Sequence, residues 1–311
     1  MNIVDTYKLL ADESRLRLLS ILEKGYFNVQ ELTSILELGQ STVSHHLKLL
    51  GNSNLTKKRK EGTWTYYSLN QNFAQDPIEK IINNFFEVAK SLNGSSSLTE
   101  LLSADKTAVQ EVLNIRRDET LEFFDSIAGT GKELRPEMSI EDRLVEVIKN
   151  SSPATATFAD LGCGKASLLK HLLPRTGETI GVDYSQSLLD EAKEVLGGLA
   201  ASVDLRLGYL EHLPLADNSV QTALTYMVLH HVSAPIEALK EAYRVLEPGG
   251  QLLVVDLMPH NNDEMRERYG DRWLGFDPKE FQSWISECGF CSSNFEVLGE
   301  NNEVFYLTAK K

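Results

Sequence analysis

The sequence predicts a multidomain chain: an N-terminal winged helix-turn-helix of α+β type, then a Rossmann-like α/β domain, joined by a helical linker. Three observations carry this expectation. The chain has 311 residues, more than one ordinary core encloses. Near its start, two helical patterns flank a very short turn and lead into a basic hairpin pattern. After residue 152, a strand runs into a Gly-x-Gly turn and a helix. The domains are drawn at 1–93 for the winged helix and the helix that ends it, 94–152 for the linker and a helical cap, and 153–311 for the α/β domain.

Composition narrows the class. With 42% hydrophobic and 24% charged residues, 9 Pro and 20 Gly, the balance is that of a folded globular chain. No stretch approaches the roughly 18 apolar residues of a membrane span, and Met1-Asn2-Ile3-Val4-Asp5 lacks the basic-then-apolar layout of a secretory signal, so a cytoplasmic protein is expected. Cys163, Cys288 and Cys291 are too few for a disulfide framework, which fits a reducing compartment. The net charge of -14 is unevenly spread. Residues 1–94 carry 11 Lys+Arg against 10 Asp+Glu, and residues 95–311 carry 20 against 35. Between Ser41 and Tyr66 the charges are Lys48, Lys57, Lys58, Arg59, Lys60 and Glu61, a local positive strip suited to phosphate.

In the first domain, Leu9, Leu10, Leu16, Leu18, Leu19, Ile21 and Leu22 recur at helical spacing, and Asp12 and Ser14 offer helix-start chemistry between two segments. Residues 28–36 read as a third helix that stops near Leu38-Gly39, and residues 40–50 restart one. Val43, Leu47 and Leu50 face the core in that fourth helix. This leaves Gln40, Ser41, Thr42, Ser44, His45, His46 and Lys48 outward or at the edges, as side chains of the type that read a DNA groove. Residues 54–69 form two strand-like runs around a Glu-Gly turn, a basic wing that brings Lys57, Lys58, Arg59 and Lys60 to phosphate. Helix, turn, polar-faced helix and basic hairpin in that order serve one docking geometry on double-stranded DNA.

Leu10-Ala11-Asp12-Glu13-Ser14-Arg15-Leu16-Arg17-Leu18-Leu19, Ser41 through Leu50, and Glu61-Gly62-Thr63-Trp64-Thr65-Tyr66-Tyr67 closely resemble the ArsR/SmtB repressor family over about the first 90 residues. The resemblance implies a homodimer on a partly palindromic operator, with a terminal helix over residues 77–92 helping to form the dimer. Metal-sensing members carry a Cys-x-Cys pair before the turn, whereas this chain reads Phe27-Asn28-Val29-Gln30-Glu31-Leu32, with no thiolate for a soft metal. DNA binding therefore carries over and metal sensing does not.

Residues 93–97 read as a flexible break, and the stretch to residue 152 is helical, with Val109, Val112, Leu113, Leu121, Phe123 and Phe124 as apolar markers. The second domain opens with residues 156–166 as strand, turn and helix. In Asp160-x-Gly162-x-Gly164 the acid precedes the glycines, which suits a ligand bearing an ammonium and a sulfonium. A dinucleotide site instead sets its pyrophosphate on Gly-x-Gly-x-x-Gly. The next strand, residues 178–183, ends in Asp183, where a carboxylate receives ribose hydroxyls.

These motifs, with residues 208–215, 223–231 and 241–256, resemble class I methyltransferases that use S-adenosylmethionine (SAM), over roughly residues 150–311. Residues 259–263 and 273–276 resemble proteins in which an ArsR-type domain is already fused to such a domain. The resemblance implies that Asp160, Gly162, Cys163 and Gly164 hold the methionine part, Asp183 the ribose, Tyr184 an adenine face, and Tyr209 and Leu210 the adenine edge. Tyr226 and Met227 complete the cofactor set. Tyr209 stands where the family commonly has an Asp that accepts from the adenine amino group, which leaves open the preference between SAM and S-adenosylhomocysteine (SAH).

Methyl transfer needs alignment, exclusion of water and a base if the acceptor carries a proton. His230, His231, Asp256 and His260 are the candidate bases. Cys288-x-x-Cys291 has only two thiols and no second pair, so no metal site is expected, and arsenite methylation is disfavoured by the thiol count. Two functions remain. One is a transcription regulator whose second domain couples SAM or SAH binding, or methyl transfer, to gene regulation. The other is an active small-molecule methyltransferase, its acceptor unknown, with an autoregulatory DNA-binding domain.

Overall fold

The computed structural model describes residues 3–70, 80, 84, 97–128, 130, 142–175, 177–298 and 303–311. The chain divides into two compact units, Met1–Arg116 and Arg117–Lys311.

The first unit opens with α1 (Ile3–Leu10) and α2 (Glu13–Leu22), then β1 (Phe27–Asn28), α3 (Val29–Leu36), α4 (Gln40–Asn52), β2 (Thr56–Glu61) and β3 (Trp64–Leu69). Side-chain caps start α2 and α3. The Arg15 N–H donates to Asp12 Oδ1 at 3.0 Å ahead of α2. Asn28 and Glu31 satisfy each other's backbone N–H groups, at 3.0 and 2.8 Å, and so begin α3. Glu37 ends α3 in the left-handed region with φ 55, and α4 restarts three residues later. Val43, Leu47 and Leu50 bury one face of α4. The wing pairs Thr56 with Leu69 through to Glu61 with Trp64, closed by Gly62 at φ 59, and β1 joins along β3.

A long helix, α5 (Ser97–Ile127), contributes its first part to this unit. Arg17 donates to both oxygens of Asp105, at 2.8 and 2.6 Å. Arg116 grips both oxygens of Glu31, at 2.9 and 2.7 Å, and the Tyr26 carbonyl at 2.9 Å. The segment read as linker is thus divided between the two units, because these ion pairs fasten residues up to 116 to the first. The break at 93–96 lies outside the described residues, as does the expected dimerisation helix at 77–92 apart from positions 80 and 84.

The second unit continues through α6 (Asp142–Ser151), β4 (Phe158–Leu161), α7 (Ser167–Leu172), β5 (Thr179–Asp183), α8 (Gln186–Leu196), β6 (Asp204–Leu207) and β7 (Val220–Tyr226). It ends with α9 (Pro235–Val245), β8 (Leu246–Leu257), α10 (Glu264–Tyr269), α11 (Pro278–Glu287), β9 (Cys291–Leu298) and β10 (Val304–Lys310). The seven strands run in the order β6-β5-β4-β7-β8-β10-β9. The first five are parallel, and β10 is antiparallel to both neighbours. Every residue of β4 and β5 is buried, as strands covered on both faces require. From β4 the chain winds outward to β5 and β6, then returns to build β7 and β8 on the other side. This reversal opens a crevice at the carboxyl end of β4.

Candidate functional site

At that crevice Gly162-Cys163-Gly164 turns the chain from β4 into α7. Gly162 has φ 84, and a Cβ there would come within 2.4 Å of the Val228 side chain, so both conformation and space demand glycine. The Gly162 N–H donates to the Val182 carbonyl at 2.7 Å. Asp183, at the end of β5, accepts the Gly164 N–H on Oδ2 at 2.8 Å and the Ser185 N–H on Oδ1 at 3.0 Å.

A cavity of about 590 Å³ opens here, lined by all ten residues expected at the cofactor: Asp160, Gly162, Cys163, Gly164, Asp183, Tyr184, Tyr209, Leu210, Tyr226 and Met227. Arg117, Thr120, Phe124 and Ile127 of α5 also line it, with Glu211, His231 and Ser233. Of these further residues, sequence patterns single out only His231 as a site residue. For the α5 wall the sequence offers a signal at Phe124 alone, as an apolar marker of a helix.

Two buried carboxyls, Asp160 and Asp183, line the cavity. Asp160 is 2% exposed and its Oδ1 has no hydrogen-bond partner. Burial, then the nearby Asp183, pushes its carboxyl up to about 7. Burial also raises Asp183 to about 6, against the lowering effect of its backbone N–H donors. Burial and these two carboxylates push the Cys163 thiol well up, so it is a neutral wall residue and no nucleophile. Flat surfaces line the other side. Tyr184 and Tyr209 stack with ring centres 6.0 Å apart, and the Arg117 guanidinium sits 5.5 Å from the Tyr209 ring centre. Arg117 also donates to Glu211 Oε1 at 3.3 Å. Phe124 meets both Tyr184 and His231 edge-on, at 6.3 and 4.9 Å.

Of the four candidate bases, one lines the cavity and three do not. His231 lines the cavity. His230 and Asp256 are completely buried, hydrogen-bonded to each other at 2.7 Å, and do not line it. His260 stands after β8, outside the lining, where its Nδ1 accepts the Asn262 N–H at 3.3 Å. Cys288 is buried and Cys291 exposed. Burial raises the Cys288 thiol to about 12.

In the first unit, Gln40, Ser41, Thr42, Ser44, His45 and Lys48 are exposed along α4. His46 differs. Its side chain is only 13% exposed and turns toward Asp12, 3.9 Å away, and burial lowers its pKa. The wing alternates as a strand must. Lys58 and Lys60 are exposed, whereas Arg59 pairs with the buried Glu61 and Lys57 lies 5.8 Å from the Tyr26 ring centre.

Comparison with known proteins places both units in one class, a DNA-binding regulator module followed by a methyltransferase module. Residues 12–58 match the bacterial regulatory protein, arsR family, and residues 159–254 match the methyltransferase domain family. The cadmium resistance transcriptional regulatory protein CadC homolog of Staphylococcus aureus is 36% identical over 90 residues, which cover 29% of this chain and 74% of that protein. The ubiquinone/menaquinone biosynthesis C-methyltransferase UbiE of Desulfotalea psychrophila is 31% identical over 144 residues, 44% of this chain and 57% of the relative. A solved putative methyltransferase from Bacillus halodurans aligns with 53% of this chain and 97% of its own, at TM-score 0.46 and 17% identity. The chain spans 25% to 57% of the length of the first curated relatives it matches.

The chain belongs to the arsR family through its first domain, which is fused to a methyltransferase domain. SAM is the cofactor general to such methyltransferase domains. Among the described residues, no helix is long and apolar enough to cross a membrane.

Proposed function

We propose that the cavity binds SAM or SAH and that its occupancy alters operator binding by the first domain, within a homodimer on a partly palindromic double-stranded site. The observation that carries this reading is the gathering of all ten expected positions around one cavity, with a buried, unpartnered Asp160 oxygen among them. The residues fit the cofactor. Asp160 offers a carboxylate to a cationic group, Asp183 accepts from ribose hydroxyls, and Tyr184, Tyr209 and Arg117 offer planar surfaces to a purine. Gly162 lets the turn pass close to Val228, where a Cβ would clash. Bound there, SAM supplies an electrophilic methyl group.

The coupling has support in α5. Asp105 and Arg116 of this helix belong to the ion pairs of the first unit, and Arg117, Thr120, Phe124 and Ile127 line the cavity of the second. A ligand that orders the end of this helix favours one of its states over another, which is the differential interaction that linkage requires. Calorimetric titration with SAM and SAH tests the binding step. One site per chain is expected, lost in Asp183→Ala with dimerisation intact. Unchanged affinity in that variant removes Asp183 from the site.

A second reading, an active methyltransferase of small molecules with an autoregulatory DNA-binding domain, is favoured by His231, the one candidate base on the cavity wall. It stands where a proton from an acceptor has a recipient. Turnover of SAM to SAH in the presence of acceptors, reduced in His231→Ala, supports this reading.

A further inference from the structure

Three buried polar side chains of the second unit converge at one point. One nitrogen each of His230 and His231 and one carboxylate oxygen of Asp271 lie within 4.8 Å of one another. His230 Nδ1 is 2.7 Å from Asp256 Oδ1, and Asp256 also accepts the Leu229 N–H at 3.0 Å and the Leu257 N–H at 2.8 Å. With two backbone N–H groups donating to it, Asp256 suits the His230 tautomer that carries its proton on Nδ1 and its lone pair on Nε2. That Nε2 is buried and has no hydrogen-bond partner. It stands 3.7 Å from Asp271 Oδ1, and His231 Nδ1 is 4.0 Å from the same oxygen. Both gaps exceed a hydrogen bond. They are near the spacing of donors that share one ion, since bonds of about 2.0–2.1 Å at tetrahedral angles set ligand atoms roughly 3.4 Å apart.

We propose that His230, His231 and Asp271 bind a divalent transition-metal ion of the zinc class. Two imidazoles and a carboxylate suit such an ion and leave a fourth position open, and Asp256 is the outer carboxylate that orients a metal-binding histidine. His231 Nδ1 also lies 3.0 Å from the Gly270 carbonyl, so binding through that nitrogen exchanges a hydrogen bond for a metal bond. Because His231 lines the cavity, the ion stands at its wall. There, resting on the methyl-transfer reading, it would take over from His231 the task of activating an oxygen or sulfur acceptor by lowering its pKa. Metal binding itself does not rest on that reading. The competing arrangement is a doubly protonated His230 between Asp256 and Asp271, with no ion.

The full chain, stripped with EDTA, is titrated with Co²⁺ and followed by the visible absorption of the four-coordinate ion, with Zn²⁺ as competitor. One equivalent per chain is expected. It is lost in His230→Gln, weakened about 10–100-fold in Asp256→Asn, and kept in a His45→Ala, His46→Ala double variant. Thermal unfolding of the unmodified chain needs no variant: Zn²⁺ raises its midpoint and Mg²⁺ does not. Absence of stoichiometric Co²⁺ binding and of a Zn²⁺ shift overturns the proposal, as does full binding in folded His230→Gln and Asp271→Asn. A chain that binds SAM and no cobalt refutes the metal site and leaves the cofactor reading standing, and the converse result does the reverse.

Discussion

The Gly164 N–H donates to Asp183 Oδ2 at 2.8 Å, tying the glycine turn after β4 to the end of β5. Asp183 Oδ1 is held in turn by the Ser185 N–H at 3.0 Å, so both oxygens of this 3%-exposed carboxylate face backbone donors. One residue thereby shapes the cavity floor and offers its remaining lone pairs to a ligand.

Asp183→Asn sets an amide N–H against one of those donors. The variant is expected to lose about 1–3 kcal/mol of stability, the cost of a buried donor left unsatisfied. Chemical denaturation checks this value, and calorimetry with SAM should show binding weakened at least about tenfold, the loss of one charge-assisted hydrogen bond.

The raised carboxyls of Asp160, at about 7, and Asp183, at about 6, give the apo protein a defined pH response. Between the ordinary carboxyl range and these values the folded state binds more protons than the unfolded state. Their contribution to stability is therefore fully present below the unfolded pKa and lost as pH rises through the folded values. A cationic ligand has the opposite preference, because it favours ionised Asp160. SAM affinity should fall by up to about tenfold per pH unit below 7 and level off above it. Asp160→Asn should flatten the profile in calorimetric titrations, and an unchanged slope contradicts this role for Asp160.

Alternation along β2 separates the basic wing into two pairs. Lys58→Ala and Lys60→Ala should each weaken operator binding and reduce the slope of log K against log salt by about 0.9 for each phosphate that is no longer neutralised. Lys57→Ala and Arg59→Ala should change that slope less, since Arg59 pairs with Glu61 and Lys57 lies by the Tyr26 ring. Anisotropy measured over a salt series distinguishes the pairs.

Arg17 and Asp105 form a two-pronged ion pair across 88 residues of sequence, with side chains 10% and 3% exposed. Removing one partner leaves a buried charge uncompensated. Asp105→Ala should cost about 3–5 kcal/mol in the first domain, read as a lowered first transition in thermal unfolding. A neutral result would detach the start of α5 from that domain's stability.

What was legible in the sequence was local or carried by motif. Asp12 and Asn28 marked the starts of α2 and α3, Val43, Leu47 and Leu50 marked the buried face of α4, and the Asp160-to-Gly164 spacing located the crevice. What was not legible depends on residues distant in the chain. Asp105 has no local pattern that points to Arg17, and a linker assignment for residues 94–152 misses their pairing for that reason. Arg59 looks like an outward cation until Glu61 supplies its partner, and His46 looks like an outward groove reader until the fold covers most of its side chain. Asp271 carries no motif, and only the fold brings it to His230 and His231.

In the coupling proposed above, a ligand of the second domain changes the first domain's hold on DNA. The most direct test is fluorescence anisotropy of the full chain on its own promoter at fixed salt, titrated with SAM and separately with SAH. At least one ligand is expected to change operator affinity by tenfold or more, a coupling of about 1.4 kcal/mol. Operator affinity unchanged by both ligands, at concentrations where calorimetry shows both bound, would contradict it and leave two domains that act separately.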